Sequence, residues 1–248
     1  LPFSDPLRVA EDVAVLDQLS RGRAEVLLLG GYVGRELEMF GVEPNQRGCL
    51  MEEGVRALKQ AWRGEVFEYR GRAARVTPRP LQAPHPTIFM GGSSAPAARR
   101  AAREGDGFIG GMPQLNAVYA AECERLGKTP RYQAEMPFSF LYVSEQPEQD
   151  WAALARYALY ETNCYAQWQQ DSDQDMMFSS ALDADALKAL GTYQVTTAEQ
   201  VLHRAPAMED NDALVLHPLV GALETRLSWQ LLRNFFRQVA PNIAITPL

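Results

Sequence analysis

The feature that most constrains this chain is a strand–loop–helix–strand unit between Thr87 and Ile109. Thr87-Ile-Phe-Met90 is a β-prone apolar run, Gly91-Gly92-Ser93-Ser94 is a loop of small residues, and Ala95 to Arg103 is a run of helix formers. Pro96 suits the first helical turn, where the N–H it lacks would have no partner. Gly105 and Gly107 stop the helix, and Phe108-Ile109 opens a second apolar run. The loop has the makings of an anion site. Gly91 and Gly92 let backbone approach a ligand, Ser93 and Ser94 offer hydroxyls, and the helix start adds partial positive charge. The plain alternative is that Ser94 only caps a helix.

The same alternation recurs along the chain. Ser4-Asp5-Pro6 is a helix start, followed by Leu7, Ala10, Val13 and Ala14, with Val9 and Leu16, at helical spacing. Glu25 to Leu29 reads as a buried strand, and Gly30-Gly31-Tyr32-Val33-Gly34 as the loop leaving its C-terminal end. A helix runs from Arg47 to Trp62, and a small hairpin follows from Val66 to Val76. Pro78, Pro80, Pro84 and Pro86 then make an extended lead into the central unit. Further elements are a helix from Gln114 to Leu126, a strand from Glu135 to Val143 and an aromatic-rich helix from Asp150 to Trp168. Thr196-x-x-Glu199 predicts a capping box, Ala213 to Leu219 the last strand and Glu224 to Val239 the last helix. Asp171-Ser-Asp-Gln-Asp175 fails as a calcium loop, because Met176 and Leu182 stand where glycine and glutamate are needed. Residues 169–192 are taken as an acidic insertion or lid.

Strands separated by helices mean a parallel sheet covered by helices. No Gly-x-Gly-x-x-Gly follows a first strand, which counts against a dinucleotide fold, and an anion loop late in the chain suits a barrel. Only about five main strands can be counted, where a barrel needs eight. The net charge of −7 argues against a nucleic-acid partner. No apolar run approaches the ~20 residues of a membrane span. Three widely spaced cysteines (Cys49, Cys123, Cys164) suggest neither disulfides nor a metal site. A cytoplasmic protein is expected, and the absence of an initial methionine suggests a longer natural polypeptide.

Several stretches resemble the bacterial luciferase-like monooxygenases, a family of flavin-dependent oxygenases and deazaflavin-dependent oxidoreductases. They are Asp5 to Arg23, Gly31-Tyr32 with Glu36 to Gly41, Thr77 to Gln82 with Pro84-His-Pro86, Gly91 to Ser94, Gly105-Asp-Gly107, and Phe236 to Pro241. The resemblance implies one (β/α)8 TIM-barrel domain over 1–248 that lacks its first three strands. It places Gly91, Gly92, Ser93 and Ser94 at the phosphate of FMN, or of a deazaflavin coenzyme, with Gly31 and Tyr32 lining the same mouth. Leu29 stands where many members have glycine. His217, near the end of the last strand, would face the catalytic side, there to orient substrate or exchange a proton; a structural histidine is the alternative. The implied activity is oxygenation of a small organic substrate with reduced FMN, with a flavin reductase as partner. Relatives dimerise through helices that include the equivalent of residues 6–20, so a homodimer is expected. Hydride transfer with deazaflavin, a non-catalytic flavin-binding or degenerate barrel and an unrelated phosphate-substrate barrel are the competing readings.

Overall fold

The computed structural model describes all residues except 111, 133–137, 171–178, 209–213 and 244–248. The described residues up to 132 form one compact unit, and those from 138 to 243 form another.

In the first unit, α1 (Pro6–Ser20) starts where the Asp5 carboxylate accepts from the Leu7 N–H at 2.8 Å, with Pro6 at the first helical position. It ends at Arg21, which is left-handed (φ 59°). Next come β1 (Glu25–Leu28), α2 (Gly34–Met39) and α3 (Arg47–Ala61). The hairpin of β2 (Phe67–Tyr69) and β3 (Arg72–Ala74) turns through Arg70 and Gly71, at φ 49° and 72°. Two consecutive left-handed residues are what a two-residue hairpin turn requires. The central unit follows as β4 (Thr87–Gly92), α4 (Ala95–Glu104) and β5 (Gly107–Gly110), then α5 (Pro113–Arg125). β1, β4 and β5 form a parallel sheet in that order, and Tyr132 bridges in parallel to Phe108 on its far side.

Because these units wind in one direction, their helices pack on one face of the sheet. Val26, Leu28, Ile88, Met90 and Phe108 share a core with Val55, Leu58, Ala98, Ala101 and Tyr119. The opposite face is barer. Leu27 and Leu29 are 48% and 52% exposed, and the Phe89 ring is covered by the Arg131 guanidinium, 5.0 Å from its centroid. Such single-handed winding is shared by a barrel wall and by one half of an open doubly wound sheet.

One buried carboxylate ties the proline-rich segment to this unit. Asp17, wholly buried on α1, accepts from the Leu81 and Gln82 N–H groups at 2.7 and 3.0 Å and from Gln82 Nε2 at 2.7 Å. Burial alone would raise its pKa, but these donors outweigh burial and hold its carboxyl below the ordinary 3.8.

The second unit contains β6 (Phe138–Val143), α6 (Pro147–Gln170), α7 (Ala184–Leu190), β7 (Tyr193–Thr196), α8 (Ala198–Arg204), β8 (Leu214–Leu216) and α9 (Thr225–Asn234). A π-helical turn, Phe235–Val239, continues α9. The sheet is again parallel, but its order is β7-β6-β8. The chain passes from β6 to β7 on one side and returns across β6 to reach β8. Right-handed crossovers in opposite directions put their helices on opposite faces. Tyr142 and Tyr193 accordingly pack with Trp151, Leu154 and Ala158, while Leu141 and Val143 pack with Val201, Phe235 and Val239. A barrel instead adds its strands in sequence.

The expected five main strands become six parallel ones among the described residues, counting three in each sheet. The added strand is β7, which fell between the expected lid and the expected cap. The capping box lies one residue later than expected, with Thr197 and Gln200 as its pair. The last strand is only Leu214–Leu216, because the chain turns at His217; Ala213 lies outside the described residues. Within 169–192, residues 171–178, including the rejected calcium loop up to its Met176, lie outside the described residues, and α7 buries Leu187 completely. Among the described residues no helix is long and apolar enough to cross a membrane.

Candidate functional site

In the first unit the parallel strands send their C-terminal ends to one edge of the sheet. That edge brings together two of the groups expected from sequence, Gly31-Tyr32 after β1 and Gly91 to Ser94 at the end of β4. Packing supplies a reason for each glycine. A Cβ on Gly91 would collide with Leu29 Cδ2, and one on Gly92 with Ala97 Cβ. Gly31 is left-handed (φ 74°), and a Cβ there would stand 2.7 Å from the Phe3 ring. The backbone of this bend is thus held tightly by its own neighbours. Arg47 adds to the hold by donating from Nη1 to the Gly31 carbonyl at 2.6 Å.

Ser94 is the residue before α4, extended at φ −141° and ψ 154°, and its side chain makes no capping bond. The simple capping role therefore does not account for its hydroxyl. Its carbonyl accepts from the Ala98 N–H at 3.0 Å. Ahead of that bond, Ala95 and Ala97 sit in the first turn, where N–H groups have no partner within the helix, and Pro96 between them has none to offer. Ser93 is buried and Ser94 exposed, so of the two hydroxyls that of Ser94 faces outward. An exposed helix start with a neighbouring serine is a donor set suited to a phosphate.

His217 belongs to the second unit, directly after β8. Its Nε2 lies 2.8 Å from Glu161 Oε1 on α6, with the two side chains 32% and 17% exposed. The other carboxylate oxygen, Oε2, accepts from the Gly221 N–H at 2.8 Å. The Thr162 hydroxyl donates to Tyr193 Oη at 3.1 Å, and that hydroxyl in turn donates to Glu161 Oε1 at 3.3 Å. Tyr142 donates to the His217 carbonyl at 2.9 Å, and the Phe140 ring lies 4.8 Å from the imidazole.

The electrostatics follow from these contacts. Burial opposes charge on Glu161, but His217, the Gly221 N–H and Tyr193 together keep its carboxyl below the ordinary 4.5. Burial pushes the Tyr193 phenol up to about 12, and the nearby Glu161 carboxylate pushes the same way. Tyr142 is driven higher still by burial.

A sequence profile described as luciferase-like monooxygenase matches residues 1–213. The chain belongs to this family. The luciferase-like chain is 36% identical over 116 residues to the FMNH2-dependent dimethylsulfone monooxygenase of Pseudomonas putida. That match covers 44% of this chain and 32% of the relative, so it spans about a third of the relative's length. Among solved structures, the oxygenating constituent of 3,6-diketocamphane monooxygenase from Pseudomonas putida, in complex with FMN, superposes with a TM-score of 0.66. It is 15% identical, and the superposition covers 100% of this chain and 79% of that one. An F420-dependent secondary alcohol dehydrogenase, in complex with an F420-acetone adduct, gives 0.62 at 15% identity, covering 97% and 76%. At these identities the structural likeness establishes the fold: α/β, with parallel sheets.

For this luciferase-like chain the residue-based reading missed Glu161, Tyr193 and the Gly221 N–H. A signal for Glu161 was present. It lies on the buried stripe of α6 between Ala158 and Thr162, where a carboxylate needs donors to be tolerated. Tyr193 gave no comparable signal, because its strand is only four residues long.

Proposed function

We propose that this chain is part of a (β/α)8 flavin-dependent monooxygenase that uses reduced FMN and oxygen on a small organic substrate, with residues 1–248 belonging to one such domain. The observation that carries the reading is the exposed start of α4 at the C-terminal edge of a singly wound parallel sheet, where barrel enzymes hold phosphates. The family match and the FMN-dependent relative support it. Ser94 and the first-turn N–H groups of α4 would hold the phosphate, with Ser93, Gly91, Gly92, Gly31 and Tyr32 shaping the rim around it. When bound, the flavin would supply the redox chemistry and the activation of oxygen. His217 is assigned to orient substrate or exchange a proton. A flavin reductase would deliver the reduced cofactor.

The deazaflavin coenzyme is the alternative, favoured by the likeness to the F420-dependent dehydrogenase. Both cofactors use the same anchor, so the first experiment is spectroscopic titration of the protein with each. Binding of FMN with perturbed flavin bands is expected. A protein that perturbs neither spectrum would overturn the cofactor reading altogether. Ser94→Asp sharpens the test. Aspartate is a good residue before a helix, so folding is kept, while its charge repels the phosphate and weakens cofactor binding by about tenfold or more.

The homodimer is proposed on α1, where Val15, Leu16 and Leu19 are 43%, 58% and 75% exposed. Apolar residues in such a run are suited to a helix of a second copy.

A further inference from the structure

We infer that Glu161 acts as a positioning residue that fixes His217 in its Nε2–H tautomer, so that Nδ1 is the atom presented to a ligand as proton acceptor. This rests on the assignment of His217 to proton exchange made above and names the atom and the partner that make it possible.

The geometry leaves little freedom. An ionised carboxylate only accepts hydrogen bonds, so the 2.8 Å contact between His217 Nε2 and Glu161 Oε1 requires the proton to sit on Nε2. Glu161 is kept ionised by two other donors, the Gly221 N–H at Oε2 and the Tyr193 hydroxyl at Oε1. Thr162 donates to Tyr193, which leaves the phenolic proton for the carboxylate. The chain of donors thus runs one way, from Thr162 through Tyr193 to Glu161, and it meets the histidine there. In a neutral imidazole with Nε2 protonated, Nδ1 carries the lone pair.

Three further contacts hold the histidine and its carboxylate in place. Tyr142 holds the His217 carbonyl, Phe140 lies against the ring, and Gly221 anchors the far end of the loop. Gly221 is left-handed (φ 49°), and a Cβ there would collide with the Tyr157 carbonyl, so only glycine brings this N–H so close to α6. Among the described residues, the titratable groups bonded to His217 or to its carboxylate partner are Tyr142 on β6, Glu161 on α6 and Tyr193 on β7. Tyr142 and Tyr193 are both pushed above the ordinary phenol value, so Glu161 is the one that carries charge at neutral pH. A His217 side chain that is 32% exposed remains accessible to a small molecule.

The test is 15N NMR of the histidine side chains in the intact protein above the imidazole titration. His85→Gln and His203→Gln variants assign the three histidines. The inference expects the 15N shifts of His217 to report the Nε2–H tautomer, and expects Glu161→Gln to lose that preference because an amide can donate to Nε2 as well as accept from it. Tyr193→Phe should keep it, since the carboxylate remains. An Nδ1–H tautomer in the parent protein, or unchanged shifts in Glu161→Gln, would overturn the inference. The measurement needs no flavin. A protein that binds neither cofactor but shows the tautomer sinks the oxidoreductase reading and leaves the positioning of His217 by Glu161 standing. In a chain that does turn over, Glu161→Gln should alter the shape of the pH–rate profile, and a uniform loss at every pH would refute the positioning role.

Discussion

Asp17 and Glu161 are buried or half-buried carboxylates that gather backbone and side-chain donors from distant parts of the chain. Removing Asp17 leaves the Leu81 and Gln82 N–H groups without their acceptor. At about 1–3 kcal/mol for each buried group left unmade, Asp17→Ala should destabilise the protein by about 3 kcal/mol, measurable by denaturant unfolding. Both carboxyls lie below their ordinary values, so the unfolded chain binds protons more readily than the folded one does. Their contribution is full above about pH 4.5 and is lost as pH falls through the folded values. Asp17→Asn should flatten the acid limb of the stability curve, and an unchanged limb would contradict this account. Gly221→Ala meets both a left-handed backbone and the Tyr157 carbonyl, and about 2 kcal/mol or more of stability should go with it.

Elements were legible where long periodic stripes or strong punctuation marked them. α1 is announced by Asp5-Pro6, α3 by its buried Met51, Val55 and Leu58, and the central unit by its glycines. What was missed lay in short elements governed by tertiary context. β7 has four residues, and its alternation is too brief to stand out from the cap that follows it. That cap was displaced because both Thr196 and Thr197 are competent, and only the reciprocal bonds of Thr197 and Gln200 decide between them. The rim loop was read from sequence as a ligand approach, whereas its glycines are also demanded by Leu29, Ala97 and Phe3, contacts no local pattern displays. His217 was found by its place after a strand, but its partner lies 56 residues away in sequence and comes near only through folding.

The molecule is wound in two ways. One sheet turns steadily in a single direction, and the other doubles back on itself, so the sequential strand order implied by the family resemblance holds only in the first. At this scale the apolar ridge of α1 gives the clearest prediction. Leu16→Glu with Leu19→Glu lies on exposed positions, so folding stability should change by no more than about 0.5 kcal/mol per site, while light scattering should report a shift from dimer to monomer. A parent protein that is monomeric at high concentration would remove the proposal.

Leu29 and Gly91 interlock across neighbouring strands, the bulk of one occupying the hollow left by the other. Gly91 cannot gain a side chain while Leu29 keeps its present rotamer. Trading the leucine for glycine would deepen the rim by one side chain, whereas a side chain at Gly91 would have to push the Leu29 methyl aside toward solvent. The breadth of the rim at this point is therefore set by a matched couple of residues, one contributed by each strand.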